Sequence, residues 1–290
     1  MYLIGYTLAF SKLSVRGWNR ASAIYVCSAV VYAIWAFANY FPGFSAWLSS
    51  MSYLFSSKNS FGQIAMVGSI IATCVFAAGK SKTVKAVAIL LAAFLFLSAL
   101  FMQCRTAVLG YCCAAIALIG MAKKKWPMVV LILLAALLLL VVPQFQNYLV
   151  HALFLDKYSG ADANAVSSGR LGLWSDAIGI IRSNPLVGQP PYYVDDFYLN
   201  CLANFGLIGA LVVFSILFVR VIMNFRHFKN HLMSSSWISP ALVCMTIFYL
   251  IESLLEGYPP FGPGTCAFMF WMLGGYVDGL SLLTDSFERR

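Results

Sequence analysis

Leu131-Ile132-Leu133-Leu134-Ala135-Ala136-Leu137-Leu138-Leu139-Leu140-Val141-Val142 runs for twelve residues without a polar side chain. A half-buried strand would alternate apolar and polar residues, and this stretch does not. Backbone groups held in hydrocarbon must be satisfied within a helix or a closed barrel. A continuous apolar run therefore points to a helix that crosses a membrane. The remaining sequence agrees: of 290 residues, 61% are hydrophobic and only 10% charged, with a mean hydropathy of +0.83. Soluble domains carry roughly 25% charged and about 45–50% apolar residues. A water-soluble fold could not hide this much apolar surface, so lipid must be the solvent for most of the chain.

A spanning helix needs ~20 largely apolar residues. Residues 21–41, 61–79, 84–102, 106–122, 126–142, 199–219, 237–255 and 265–283 meet that requirement. The expected fold is all-α: a polytopic helical membrane protein with about eight transmembrane helices, forming one integral membrane domain over residues 1–290. Residues 1–10 are apolar but too short to cross alone, and read as an interfacial helix or a partial ninth span. They lack the basic start and cleavage site of a secretory signal.

Basic residues set the direction, because loops on the cytoplasmic side collect Lys and Arg. One side takes Lys12, Arg16, Arg20, Lys80, Lys82, Lys85, Lys123, Lys124, Lys125, Arg220, Arg226, Lys229, Arg289 and Arg290. The other holds Lys58, Arg105, Lys157, Arg170 and Arg182. Fourteen against five, alternating after every span, places both termini in the cytoplasm. The net charge of +9 is thus an orientation signal. The basic clusters are short and lack interleaved aromatics for base stacking, which argues against nucleic acid as a partner. The eight cysteines lie scattered in apolar stretches with no CxxC spacing. They read as small buried hydrophobes, and no metal site is expected.

One connection is long. Residues 143–198 form a large outer loop that is not of low complexity. Within it Leu171, Trp174, Ile178 and Ile181 recur at helical spacing after Ser167-Ser168, and Asn184-Pro185 stops the pattern. A short amphipathic helix capped by serine is expected there.

On this topology several polar groups gather at the outer boundary. Arg105 lies between the third and fourth spans, Arg170 starts the loop helix, and Asp195 and Asp196 precede the sixth span. Glu252 and Glu256 are four apart at the outer end of the seventh, hence on one face of a helix. Lys58-Asn59 precedes the second span. Each has a plain structural alternative. Arginines can snorkel to headgroups, Asp195 and Asp196 can cap a helix, Glu252 can pair with an arginine, and Lys58-Asn59 can be solvated loop. Tyr192, Tyr193, Tyr198 and Tyr258 suit an aromatic belt as well as a sugar platform. The chemical alternative is specific. A guanidinium pairs bidentately with phosphate oxygens and stabilises a leaving pyrophosphate, and a neighbouring carboxylate can accept the proton of an attacking sugar hydroxyl.

Ser168-Gly169-Arg170-Leu171-Gly172-Leu173-Trp174, Asn184-Pro185-Leu186-Val187-Gly188 and Asn204-Phe205-Gly206-Leu207-Ile208-Gly209 together resemble the O-antigen ligase and polymerase superfamily. Members read SGR-x-x-x-W, NPL-x-G and E-x-G-x-x-G across this loop. Lys58-Asn59-Ser60-Phe61-Gly62 and Cys104-Arg105-Thr106-Ala107 are similar to two earlier stretches of that pattern. The resemblance implies a metal-independent membrane glycosyltransferase without a cofactor, acting at the periplasmic face of a bacterial inner membrane. Its donor would be undecaprenyl-pyrophosphate-linked glycan, and a chain-length regulator would be a further partner. By position, Arg105 and Arg170 match the arginines assigned to pyrophosphate. Asp195, with Glu252 second, would supply the base, and Lys58, Asn59, Asp196 and Glu256 are secondary substrate candidates. Where ligases carry His-Asn before the sixth span, this chain has Asp195-Asp196. That departure favours a polymerase of lipid-linked repeat units over a ligase. A flippase for lipid-linked sugars is the alternative from another class. The chain is shorter than is usual for the family, which raises the expectation of a further amino-terminal portion.

Overall fold

A computed structural model describes residues 1–10, 15–40, 52–53, 56–102, 104–121, 167, 169–229, 236–262 and 265–288. The proposed fifth span (126–142) and the first part of the outer loop lie outside these residues. Nine helices are described: α1 (Tyr2–Phe10), α2 (Val15–Tyr40), α3 (Lys58–Ala78), α4 (Lys82–Phe101), α5 (Arg105–Met121), α6 (Arg170–Ser183), α7 (Phe197–Lys229), α8 (Ile238–Glu252) and α9 (Thr265–Glu288). The described strand structure is one two-residue antiparallel bridge, Ser52–Tyr53 with Ser56–Ser57. Among the described residues, four helices are long and apolar enough to cross a membrane: Gly17–Ala38, Asn59–Ala78, Lys82–Phe101 and Phe197–Lys229. Arg105–Met121, Ile238–Glu252 and Ala267–Leu283 are shorter apolar helices. Ile24, Val31, Leu90, Leu97 and Ile116 stand exposed on them, an arrangement that suits hydrocarbon and not water.

Contacts group the chain into two compact units. The first comprises Met1–Met121, Arg220–Phe248 and Gly262–Arg290. Its central helix is α3, of whose most apolar window 67% is buried, against 28% for α2 and α4. Close packing there relies on small residues. Gly62 lies against Cys104, just ahead of α5, and Ala107 within it, and Gly110 against Phe248. The nine-residue α1 lies along α9, where Gly275 touches the Tyr2 carbonyl and Gly5 touches that of Met272. Without a hydrophobic force between helices in lipid, backbone approach over small residues is the main source of association.

The same unit contains a buried polar network that sequence reading missed. Arg220, counted above among the basic residues of one side, lies within α7 and is 3% exposed rather than in a solvated loop. Its two terminal nitrogens donate to Asp278 of α9 at 2.5 and 2.9 Å. Its Nε donates to Asn224, which donates in turn to Thr246. Tyr2 Oη donates to Asp278, and His227 Nε2 lies 2.7 Å from the same carboxylate. The available signal was the spacing Arg220, Asn224, His227, which puts three polar side chains on one face of an apolar helix.

The second unit comprises Ala122–Val219 and Tyr249–Phe261. Here α6 ends at Ser183, with Asn184 as its cap and Pro185 beyond, as expected. Its inward face differs from expectation. Ala177 is fully buried, while Leu171 and Ile178 are 42% and 40% exposed. The buried stripe is thus rotated toward Trp174 and Ala177. Gly169, with φ +82°, occupies the cap position without a side-chain bond. Ser167 serves that first turn from upstream, its Oγ accepting the Leu171 N–H and its carbonyl the Arg170 N–H.

The α7 helix is interrupted at Gly206 (φ 61°, ψ −172°), a conformation essentially restricted to glycine. The segment after α6 crosses this break. Leu207 and Ile208 donate their N–H groups to the carbonyls of Pro185 and Leu186, and Gln189 donates to Ala203. Those bonds satisfy backbone groups the break would orphan. The approach leaves no room for a side chain: a Cβ on Gly206 would stand 2.3 Å from the Leu186 carbonyl, and one on Gly188 2.5 Å from the Gly206 nitrogen. Gly206→Ala should therefore cost about 1–3 kcal/mol, read as a lower thermal midpoint in detergent. Gly179→Ala, in the open interior of α6 with nothing within 4 Å of the new Cβ, should raise that midpoint slightly. Equal midpoints for the two variants would contradict the close approach.

Candidate functional site

The second unit brings three of the candidate residues together. Arg170 projects from the first turn of α6, Asp195 lies just before α7, and Glu256 follows the last turn of α8. Arg170 Nη2 donates to Glu256 Oε1 at 3.1 Å, and Arg170 Nε lies 3.7 Å from Asp195 Oδ2. The side chains of Arg170, Asp195 and Glu256 are 17%, 28% and 9% exposed. The 3.7 Å separation is an ion pair too long for a hydrogen bond. Arg170 Nε consequently remains buried with no hydrogen-bond acceptor among the described residues.

Each partner is held by its own local structure. Tyr193 Oη donates to Asp195 Oδ1 at 2.5 Å, and Trp174 Nε1 reaches the Asp195 carbonyl at 3.4 Å. Desolvation of its hydroxyl, reinforced by the bond to Asp195, pushes the Tyr193 phenol well above its ordinary range. It therefore stays a neutral donor at physiological pH. Tyr193 and Tyr258 pack with ring centroids 5.6 Å apart beside the ion pair. Behind them Asn204 accepts from the Tyr192 N–H and donates to the Tyr192 carbonyl, fixing that strand of loop against α7. Asn200 donates to the Gly257 carbonyl, and Phe197 N–H to that of Ser253. Two loops are thus tied to one helix end, which is why Asp195 and Glu256 converge on Arg170.

The adjacent carboxylates differ in role. Asp196 Oδ1 accepts the Leu199 N–H at 2.8 Å and caps α7, the plain alternative for this residue. Burial raises its carboxyl above the ordinary range, and backbone bonds from Leu199 and Tyr198 pull back only part of that shift. With a folded value above the unfolded one, stability from protonated Asp196 is full below the unfolded value. It is lost as pH rises through the folded value. Asp196→Asn should keep the cap and flatten that loss, whereas Asp196→Ala should cost ~1 kcal/mol at any pH. Thermal midpoints across pH 4–8 would check both; a wild-type curve parallel to that of Asp196→Asn would refute the raised carboxyl.

Glu252 and Glu256 stand one turn apart, the Glu256 N–H donating to the Glu252 carbonyl at 2.8 Å. The helix α8 stops at Glu252, which is fully buried, and Glu256 lies beyond it with Arg170. In the first unit, Arg105 opens α5 and is half-buried, Lys58 opens α3, and Asn59 is half-buried in its first turn. Of the cysteines, Cys74, Cys104, Cys201 and Cys244 are buried as expected, but Cys27 and Cys112 are exposed on apolar helices. The four tied groups Tyr193, Asp195, Arg170 and Glu256 form a compact cluster of one guanidinium, two carboxylates and a phenol, with the Tyr258 ring beside it. No family model matches the chain, and none of the curated proteins matches it.

Proposed function

We propose that the chain is a bacterial membrane glycosyltransferase that polymerises undecaprenyl-pyrophosphate-linked repeat units at the periplasmic face of the inner membrane. The observation that carries this reading is the buried, unused Nε–H of Arg170 beside Asp195. Buried donors without acceptors are rare in folded proteins and mark strained or functional places. A phosphate oxygen of a lipid pyrophosphate would satisfy it. In the reaction, a hydroxyl of the acceptor sugar forms the new bond to the donor's anomeric carbon. The bond from that carbon to the pyrophosphate oxygen breaks, and the pyrophosphate leaves with the electron pair. Asp195 accepts the hydroxyl proton, and Arg170 stabilises the departing charge. Glu256 holds the guanidinium in place before substrate enters. Arg105 is proposed as a second pyrophosphate contact on the strength of its sequence context.

The reading is tested by the length and carrier of glycan intermediates in a strain lacking the protein. Single repeat units reaching the final acceptor support a polymerase. Long chains stranded on the lipid carrier would indicate a ligase, and units trapped on the cytoplasmic leaflet a flippase.

A further inference from the structure

Independently of the glycan chemistry, the first unit contains a cavity of about 680 Å³, within the ~300–1,000 Å³ typical of small-molecule sites. Its walls come from α2, α3 and α4, with Val26, Ile71, Val75 and Leu91 among the apolar side chains. One end is polar. Trp237 Nε1 donates to Asn19 Oδ1 there at 2.7 Å, and Ser81 caps α4 by accepting the Val84 N–H. Lys80 is the sole charged residue lining the cavity among the described residues.

The charge around that end is unbalanced. A helix N-terminus carries the positive end of the helix dipole and favours anions. The first turn of α4 has no acidic residue; instead Lys80, Lys82 and Lys85 cluster at it. Lys80 and Lys82 are exposed, and Lys85 lies 5.9 Å from the Phe76 ring. Cations at the positive end of a dipole repel it, and an anion relieves the repulsion. An apolar slot ending in such a cationic rim fits a molecule with a hydrocarbon tail and a negative head.

We infer that this cavity binds an anionic phospholipid, one acyl chain lying between α2, α3 and α4 and its phosphate at Lys80 and the start of α4. On the charge asymmetry of the loops this rim faces the cytoplasmic leaflet, where anionic headgroups attract basic clusters. The site is therefore separate from the glycan chemistry proposed above, and its failure would leave that reading untouched.

The test uses the full-length protein, purified and delipidated in neutral detergent. It is titrated with phosphatidylglycerol or with phosphatidylcholine of the same acyl chains, and bound lipid is counted by native mass spectrometry. Saturable binding of phosphatidylglycerol in preference to phosphatidylcholine is expected. Lys80→Glu, at an exposed position, should weaken it about tenfold. Val87→Trp fills the cavity from a position 50% exposed; it should abolish binding while leaving the lipid-free thermal midpoint in place. Equal affinity for the two lipids, or full binding by either variant, would overturn the proposal. So would tighter binding of undecaprenyl phosphate than of phosphatidylglycerol, which would make the cavity a carrier-lipid site.

Discussion

Replacing Asp278 with Ala is expected to remove most of the folded protein. The carboxylate receives both terminal nitrogens of Arg220, His227 Nε2 and the Tyr2 hydroxyl, and it is 3% exposed. Removing one partner of a buried ion pair strands the other charge, at a cost of about 3–5 kcal/mol. That is a large fraction of the ~5–15 kcal/mol by which ordinary domains are stable. Replacing both charges by apolar residues of similar size is a milder change, because the desolvation of both ions disappears as well. Arg220→Met combined with Asp278→Leu should therefore recover abundance that Asp278→Ala alone loses. Membrane immunoblots and thermal midpoints in detergent measure the comparison. An Asp278→Ala variant with wild-type midpoint would show that the network does not clamp the helices it joins.

Arg170→Ala is expected to fail differently, with abundance retained and chain growth lost. The residue starts a surface helix, is partly exposed, and makes one hydrogen bond and one long ion pair, to Glu256 and Asp195. The pair is part-buried, with the Glu256 side chain 9% exposed, so the loss should fall below the ~3–5 kcal/mol of a fully buried pair and leave the protein folded. A positioned donor that meets developing charge is worth ~10²–10³ in rate, and polymer length should collapse to single repeats. Arg170→Lys keeps the charge but not the planar fork, and should restore only a small part of the activity. Long glycan in an Arg170→Ala strain would remove this residue from the reaction.

The apolar runs made most of the helices legible, because hydrophobic length is read residue by residue. The start of α3 at Lys58 and of α4 at Lys82 fall within three residues of the sequence reading. Proline marked the end of α6 for an equally local reason. What the sequence obscured depends on three-dimensional neighbours. Arg220 looked like a loop residue because a charge near the end of an apolar run usually is one; its buried partner lies 58 positions away. Glu252 and Glu256 stay one turn apart past the end of α8, but their spacing does not reveal that Glu256 pairs with Arg170. The Arg170–Glu256 pair joins residues 86 apart, a distance that no local pattern carries. The motif residues around Arg170 were recognisable as a group, but the part played by Asn204 and Asn200 in tying loops together was not.

The contact between Gly188 and Gly206 also acts as a ruler. Both ends of that eighteen-residue interval are pinned by backbone bonds across the break in α7. Adding or deleting a single residue within α7 ahead of Gly206 would turn the Leu207 and Ile208 N–H groups and the Ala203 carbonyl away from their partners and push a side chain into a space that only glycine fits. An extra residue in the first turns of α7 should therefore lower the thermal midpoint more than one placed in the 190–194 loop.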